Sequence, residues 1–344
     1  MNSTLSNNDL NQTLRIATGS ALGFFISKSL NWPFGIFYTV YPMLLLGLAP
    51  VFTPHIIRQF ILGSLLPTLF VLTTYSYFSH LPMLCALLVF MAFVFLFTLM
   101  SKGALFFFGA FSVVGLSIQL HMASYGASGN SLYTIGIANV RASLLSLLIA
   151  SAMFTLFKDT EARQPPPKVD KSASSVRHEA LLCSIVATLS FVFFQVFDLQ
   201  ESISAQVATI LVLFPMCWKG ATVSGLQRAI GTLIGCNLAL FLQLILWGNS
   251  NVLFFATLSL WFLTFIMSRN HALGGGGAGA AFGALTTFGI LYGQNLTPQQ
   301  DLVYSSLYRF ASVMVAILIT LSVVYVVHKF LNTFTATRHH TFLT

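Results

Sequence analysis

Long apolar runs separated by short polar stretches dominate the chain. A helix needs roughly 20 mostly apolar residues to cross the hydrocarbon core of a bilayer. Runs of that kind recur near Leu14–Leu30, Pro33–Pro50, Ile57–Ser79, Leu81–Met100, Gly103–Met122 and Tyr133–Phe157. From Lys158 to Glu179 the pattern breaks: Pro165, Pro166 and Pro167 stand among alternating charges, the composition of a solvated linker. A second set of runs follows near Ala180–Phe197, Ser202–Trp218, Leu226–Trp247, Val252–Ser268, Ala272–Gly293 and Leu302–Lys329. The pattern predicts an all-α membrane protein of about twelve transmembrane helices, with six-helix units over 1–157 and 180–344 joined by the linker 158–179.

The two sets match in order. Tyr41-Pro42-Met43 with Gly47 parallels Phe214-Pro215-Met216 with Gly220, and Arg58 before Gly63 parallels Arg228 before Gly231. Met100-Ser101-Lys102 parallels Met267-Ser268-Arg269, Tyr125-Gly126 parallels Tyr292-Gly293, and Arg141 parallels Arg309. Chance likenesses are common among Leu- and Phe-rich segments, but five in sequence point to an internal repeat. An even number of spans per unit makes the two copies parallel.

Composition agrees with the pattern. The chain is 56% hydrophobic and 7% charged, whereas soluble domains carry about 25% charged residues. Lipid must therefore be its solvent over most of its area. The net charge of +8 is spread singly between apolar runs. That distribution fits a positive-inside bias rather than nucleic-acid binding, for which no motif appears. A cytoplasmic N-terminus would put Arg58, Lys102, Lys219, Arg228, Arg269, Lys329, Arg338 and the linker inside, and Lys28 outside with Asp198, Glu201 and Asp301. The N-terminus, linker and C-terminus are thus expected to be cytoplasmic. The polar start Met1–Thr13 lacks the basic flank of a cleavable signal.

No enzyme constellation emerges. The eight acidic residues lie in tails, the linker or outer loops of the predicted plan, so paired-carboxylate and metal-dependent catalysis lack their parts. Cys85, Cys183, Cys217 and Cys236 sit within or beside apolar runs without metal-site spacing. Neither a metal nor a cofactor is expected.

Basic residues do enter the membrane. Arg141 and Arg309 each lie about eight residues into a predicted span, where a charge is costly unless it meets water or a partner. Two readings stand. Either both face a shared pathway and attract anionic substrate from opposite walls, or they bond helix-end carbonyls or snorkel outward. Arg15 reads as an inner-edge anchor. The run Gly274–Gly277, followed by Gly279 and Gly283, either allows close helix packing or unwinds a helix end, so that Gly275 and Gly276 offer N–H groups to an anion. It is not a phosphate loop, since no Lys-Ser/Thr follows it. Candidates for proton coupling are Asp198 and Glu201 at an outer turn, with His121 and His271 at helix ends; for the histidines, an interfacial packing role is the alternative.

At Arg228-Ala-Ile-Gly231-Thr232-Leu-Ile-Gly235 the chain resembles the fusaric acid resistance and aromatic acid exporter superfamily. Its members carry a basic residue followed by Gly-Thr and a further Gly early in a helix after an inner loop. The first unit keeps this partly, as Arg58-Gln-Phe-Ile-Leu-Gly63-Ser64. The resemblance implies export of small aromatic or hydrophobic carboxylates from a bacterial inner membrane, driven by the proton-motive force. It also implies a periplasmic adaptor of the membrane-fusion type and, through it, an outer-membrane channel; a homo-oligomer is compatible with it. Related plant proteins with one six-helix unit are dimeric anion channels. The larger exporters have a sizeable cytosolic domain between their halves, where this chain has the short linker. The expected function is export of amphipathic organic anions, with a passive anion channel or a non-transporting scaffold for an adaptor as alternatives.

Overall fold

The computed structural model describes residues 5–49, 51–125, 129–161, 163, 171–246, 249, 252–274, 277–295 and 302–339, among which no strand occurs. The helices are α1 Asn7–Ser29, α2 Gly35–Leu48, α3 Pro54–Phe78, α4 Pro82–Ser101, α5 Phe106–Tyr125 and α6 Gly129–Leu156, then α7 Ala173–Val196, α8 Ile203–Val212, α9 Trp218–Leu246, α10 Leu253–Ala272, α11 Ala278–Asn295 and α12 Leu302–Leu331. Eight of these, α3 to α7 with α9, α10 and α12, are long and apolar enough to cross a bilayer.

Against the expected twelve or so transmembrane helices, all twelve helices are present among the described residues, and four of them, α1, α2, α8 and α11, fall short of that length or apolarity. At 14 and 10 residues, α2 and α8 reach about 21 and 15 Å, short of the roughly 30 Å hydrocarbon core. Proline and left-handed backbone limit both. Phe34, with φ +59°, follows Pro33 at the start of α2; after α8, Pro215 cannot continue a helix and Met216 takes φ +57°. Ile36 to Leu46 and every residue of α8 are buried. Their unbroken apolarity thus comes from burial in protein on all sides, which sequence alone cannot tell from burial in lipid.

The described residues fall into two compact units. One comprises residues 1–57, 138–165 and 226–311; the other comprises 58–137, 166–225 and 312–344. In the first, α1 packs on α10 and α2, while α11 packs on α2 and α10. In the second, α7 packs on α4 and α8, while α5 packs on α8 and α4. Adding six to, or subtracting six from, each helix number converts one set of pairings into the other. Two turns repeat in the same sense. After α1, Asn31 adopts φ +49° while Asn31 N–H donates to Lys28 and Trp32 N–H to Ser27; after α7, Asp198 adopts φ +51° while Asp198 N–H donates to Gln195 and Leu199 N–H to Phe194. Both are Schellman closures, which satisfy the last carbonyls of a helix through one left-handed residue.

Two helices begin earlier than their apolar runs. Ser172 caps α7, its Oγ accepting from Ser175 N–H at 3.3 Å, so His178 and Glu179 are helical and buried rather than part of a linker. α9 begins at Trp218 instead of Leu226, because Trp218 packs on Tyr325 of α12 at 5.2 Å between ring centroids. Arg228 therefore lies about 15 Å along its helix, not at its mouth.

Chain ends fold back on helix starts. In the first unit Asn8 Nδ2 donates to Glu161 O at 3.0 Å, Arg163 Nη1 donates to Gln12 Oε1 at 2.6 Å, and Arg15 pairs with Asp159. Arg15 is 2% exposed and lies 4.3 Å over the ring of Phe154. The expected anchor is thus a buried ion pair. In the second unit the segment after α12 lies on the start of α7.

A close helix approach in the first unit joins α9 to α11. A Cβ on Gly231 would stand 2.5 Å from the Ala280 carbonyl oxygen and 2.7 Å from Ala284 N, and one on Gly235 would stand 2.8 Å from Ala284 O. These are backbone atoms, which cannot move aside as a flexible side chain would. Gly231→Ala should therefore lower the thermal stability of the detergent-solubilised protein by roughly 2 kcal/mol or more. Gly277→Ala, with nothing within 4 Å of its Cβ position, should shift it by less than about 0.5 kcal/mol. Breaking the Arg15–Asp159 pair has an asymmetric expectation. Asp159→Ala, which strands a buried cation, should destabilise by about 3 kcal/mol. The double change Arg15→Leu with Asp159→Leu should cost less in the same melting assay.

Candidate functional site

The site is built from the α9–α11 contact. Because Gly231 and Gly235 let the two backbones meet, Arg228 of α9 is pressed toward α11: a Cβ on Gly283 would stand 3.6 Å from Arg228 Cα. Thr232 Oγ1 lies 3.4 Å from Thr287 Oγ1 across the same seam. The motif residues Arg228, Gly231, Thr232 and Gly235 therefore occupy one face of α9, with the glycines and Thr232 at the seam. Arg228 is 6% exposed, and its Nε is buried without an acceptor. No described carboxylate forms an ion pair with it. An ionised group buried without a counter-charge is held at a penalty of several kcal/mol.

Arg141 and Arg309 both belong to the unit that holds Arg228, but their surroundings differ. Arg141 is exposed, and its guanidinium lies 4.8 Å from the ring centroid of Trp32 in the α1–α2 turn. Tyr38, at 0% exposure, keeps its hydroxyl within electrostatic reach of the same guanidinium. Arg309 is buried at 6% exposure and sits near Cys236 of α9. Sequence treated the two arginines as equivalents; their environments are not alike.

Aromatic side chains line the same unit. Phe24 and Phe288 pack against Tyr292 at 5.5 and 5.0 Å between ring centroids, and Tyr292 Oη lies 2.6 Å from Ser259 Oγ. Phe37 meets Tyr41 edge-on at 5.4 Å, and Tyr41 donates its hydroxyl proton to Asn139 Oδ1 of α6. Cationic groups and rings together suit a molecule with a carboxylate at one end and an apolar body at the other.

The remaining candidates divide between the two units. Gly275 and Gly276 lie outside the described residues. His271 is half-buried, with Nδ1 3.2 Å from Ala278 O and Nε2 3.4 Å from Gly47 O, so its ring joins α10 to α2 and α11. In the other unit His121, 4% exposed, has Nε2 2.9 Å from Gln200 O, in the turn that carries exposed Asp198 and Glu201. Structure thus gathers three of the four proton-coupling candidates at one end of a unit and leaves His271 apart. Glu179, assigned to the linker from sequence, is instead a buried helical carboxylate. It accepts from Ser101 Oγ and Lys171 Nζ, each at 2.6 Å. Among the described residues no group of three or more His, Cys, Asp or Glu side chains is arranged to hold a metal.

Sequence reasoning marked Arg228 as a motif residue but not as a buried cation, because the apolar run begins beside it. The signal that was available is the small-residue stretch Gly220-Ala-Thr-Val-Ser-Gly225, which extends the helix backward without adding apolar bulk.

No curated protein and no solved structure matches the chain. Residues 12–153, from α1 to α6, match a family described as Protein of unknown function (DUF2955). Residues 188–323, from α7 to α12, match a family described as Fusaric acid resistance protein-like. That description points to transport and resistance at a membrane, and the family is not an enzyme class. Eight apolar helices and this match make the chain a multi-pass membrane protein whose residues 188–323 match the fusaric acid resistance protein-like family.

Proposed function

We propose that the protein exports small amphipathic organic anions, aromatic or hydrophobic carboxylates, across a bacterial inner membrane. The observation that carries this reading is Arg228: a guanidinium deep in an apolar helix, without a counter-charge among the described carboxylates. An anionic substrate supplies the missing charge. Arg141 and Arg309 act as further attracting charges in the same unit, and the rings around Tyr292 receive the apolar body.

The duplication belongs to this reading. The exchange of helix pairings by six, the paired Schellman closures at Asn31 and Asp198, and left-handed Gly103 and Gly274 after α4 and α10 all support two parallel six-helix copies. Each compact unit then combines helices from both copies, so a substrate site in the first unit is framed by α1 and α2 of one copy and α9 to α11 of the other. The proximity of the chain start to the segment after α6, and of the start of α7 to the end of α12, supports termini and linker on one side, the cytoplasm by the excess of basic residues there. The proton-motive force drives transport, with His121, Asp198 and Glu201 as the entry for protons. A periplasmic adaptor and an outer-membrane channel complete the route.

Efflux from cells preloaded with fusaric acid or a hydroxybenzoate tests the site. Arg228→Ala should reduce the initial rate by about tenfold or more, the worth of one lost charge-assisted contact, while Arg228→Lys retains part of it. Unchanged efflux from a well-folded Arg228→Ala protein would remove the site. Arg141→Ala and Arg309→Ala should each weaken efflux as well.

The lack of a carboxylate at the middle of any described helix favours a second reading, a passive anion channel. Proteoliposomes separate the two: uphill accumulation of the carboxylate under an imposed pH gradient is expected of the exporter, and strictly downhill flux of the channel.

A further inference from the structure

Four elements converge where α7 begins. Arg177, His178 and Glu179 lie in its first two turns, with His178 0% and Glu179 4% exposed. Against them lie the end of α4 through Ser101, the end of α12 through His328, and a one-turn 3-10 helix, Thr335–Thr337, followed by Arg338 and His339.

A single chain of hydrogen bonds runs through this junction. Nδ1 of His178 lies 2.7 Å from Thr337 O, and its Nε2 lies 2.9 Å from Nδ1 of His328. Nε2 of His328 lies 3.1 Å from Nδ2 of Asn332, whose Oδ1 accepts from His339 N–H at 2.9 Å. Both ends are fixed by backbone chemistry, since a carbonyl can only accept and an N–H can only donate. The direction of every bond between them follows. The amide of Asn332 must turn its NH2 toward His328, leaving Nε2 of His328 as an acceptor. His328 then carries its proton on Nδ1 and donates to Nε2 of His178, which carries its own proton on Nδ1 for Thr337. Each ring holds one proton and is neutral.

A second proton on either ring has no acceptor. On His178 it would set N–H against N–H of His328; on His328 it would set N–H against the amide NH2 of Asn332. The surrounding charges do not relieve this. Lys171, Arg177, Lys329 and Arg338 are cations. Glu179, the acid that faces the junction, is already taken by Lys171 and Ser101 and has His339 Nε2 at 3.8 Å. Protonated His339 would pull toward Glu179, an effect of opposite sign. Cys183, a turn further along α7, is buried and donates toward Leu213 O.

We propose that residues 332–339 form a proton-operated clasp, closed on the start of α7 while His178 and His328 are neutral and released when either ring takes a second proton. The clasp is therefore closed at neutral and alkaline pH and opens as the medium acidifies enough to charge either ring. It makes the attachment of α12 to α7 sensitive to the acidity of the side on which the chain ends. This inference does not depend on what the protein transports.

The test uses the full-length protein in nanodiscs with a nitroxide attached after Ala336→Cys, an exposed position within the clasp. Labelling of the native cysteines is subtracted with the unsubstituted protein. From about pH 8 to about pH 5 the spectrum should change from immobilised to mobile, the mobile fraction rising by about tenfold per pH unit before saturating. The double substitution His178→Gln with His328→Gln should abolish that response, whereas His339→Gln should keep it. A spectrum that does not change with pH, or a full response in the double variant, overturns the clasp. An independent reading needs no substitution: 15N-histidine spectra at about pH 8 should show two neutral rings protonated at Nδ1. Finding His178 protonated at Nε2 there would also overturn it.

Discussion

Two helix backbones in contact set most of what is distinctive in the first unit. Gly231 and Gly235 of α9 lie so near Ala280, Gly283 and Ala284 of α11 that no side chain fits between them. Apolar residues in lipid gain little by moving from lipid tails to protein, so helix association there depends on close packing and on small residues that permit it. The same contact fixes the height and rotation of α9. It thereby holds Arg228 almost fully buried, where a flexible loop would have let it reach water. Packing at the glycines and the burial of the arginine are thus one arrangement.

The chain treats its buried charges in three ways. Arg15 receives Asp159 from the segment after α6 and the face of Phe154, so its charge is settled internally. Glu179 receives Lys171 and the hydroxyl of Ser101. Arg228 receives no described carboxylate. Among these three, only Arg228 stands without a described counter-charge, and it shares its unit with the rings around Tyr292.

The two units also differ in what their polar groups join. In the first, His271 and Tyr41 tie helices to one another through carbonyl and amide groups. In the second, a serine–glutamine–tyrosine group, Ser124, Gln195 and Tyr75, links α3, α5 and α7, with Gln195 Nε2 2.9 Å from Tyr75 Oη. The histidine chain at the start of α7 stands at the far end of that helix from this group. One helix thus carries a neutral polar lock at one end and a junction that depends on protons at the other.

Sequence by itself determined that this is a helical membrane protein and the positions of most helices. Those properties follow from local apolarity and from residues at fixed spacing, both of which are written along the chain. It also located the Arg228–Gly235 motif. Only tertiary structure decided that α2 and α8 are short helices wrapped in protein, since an apolar run looks the same against lipid and against other helices. Tertiary packing likewise began α9 at Trp218 and α7 at Ala173, turning a motif residue and two linker residues into buried groups. The unlike settings of Arg141 and Arg309, and the gathering of His178, His328 and Asn332, depend on which helices meet. Residues far apart in the chain make those contacts, and no local pattern records them.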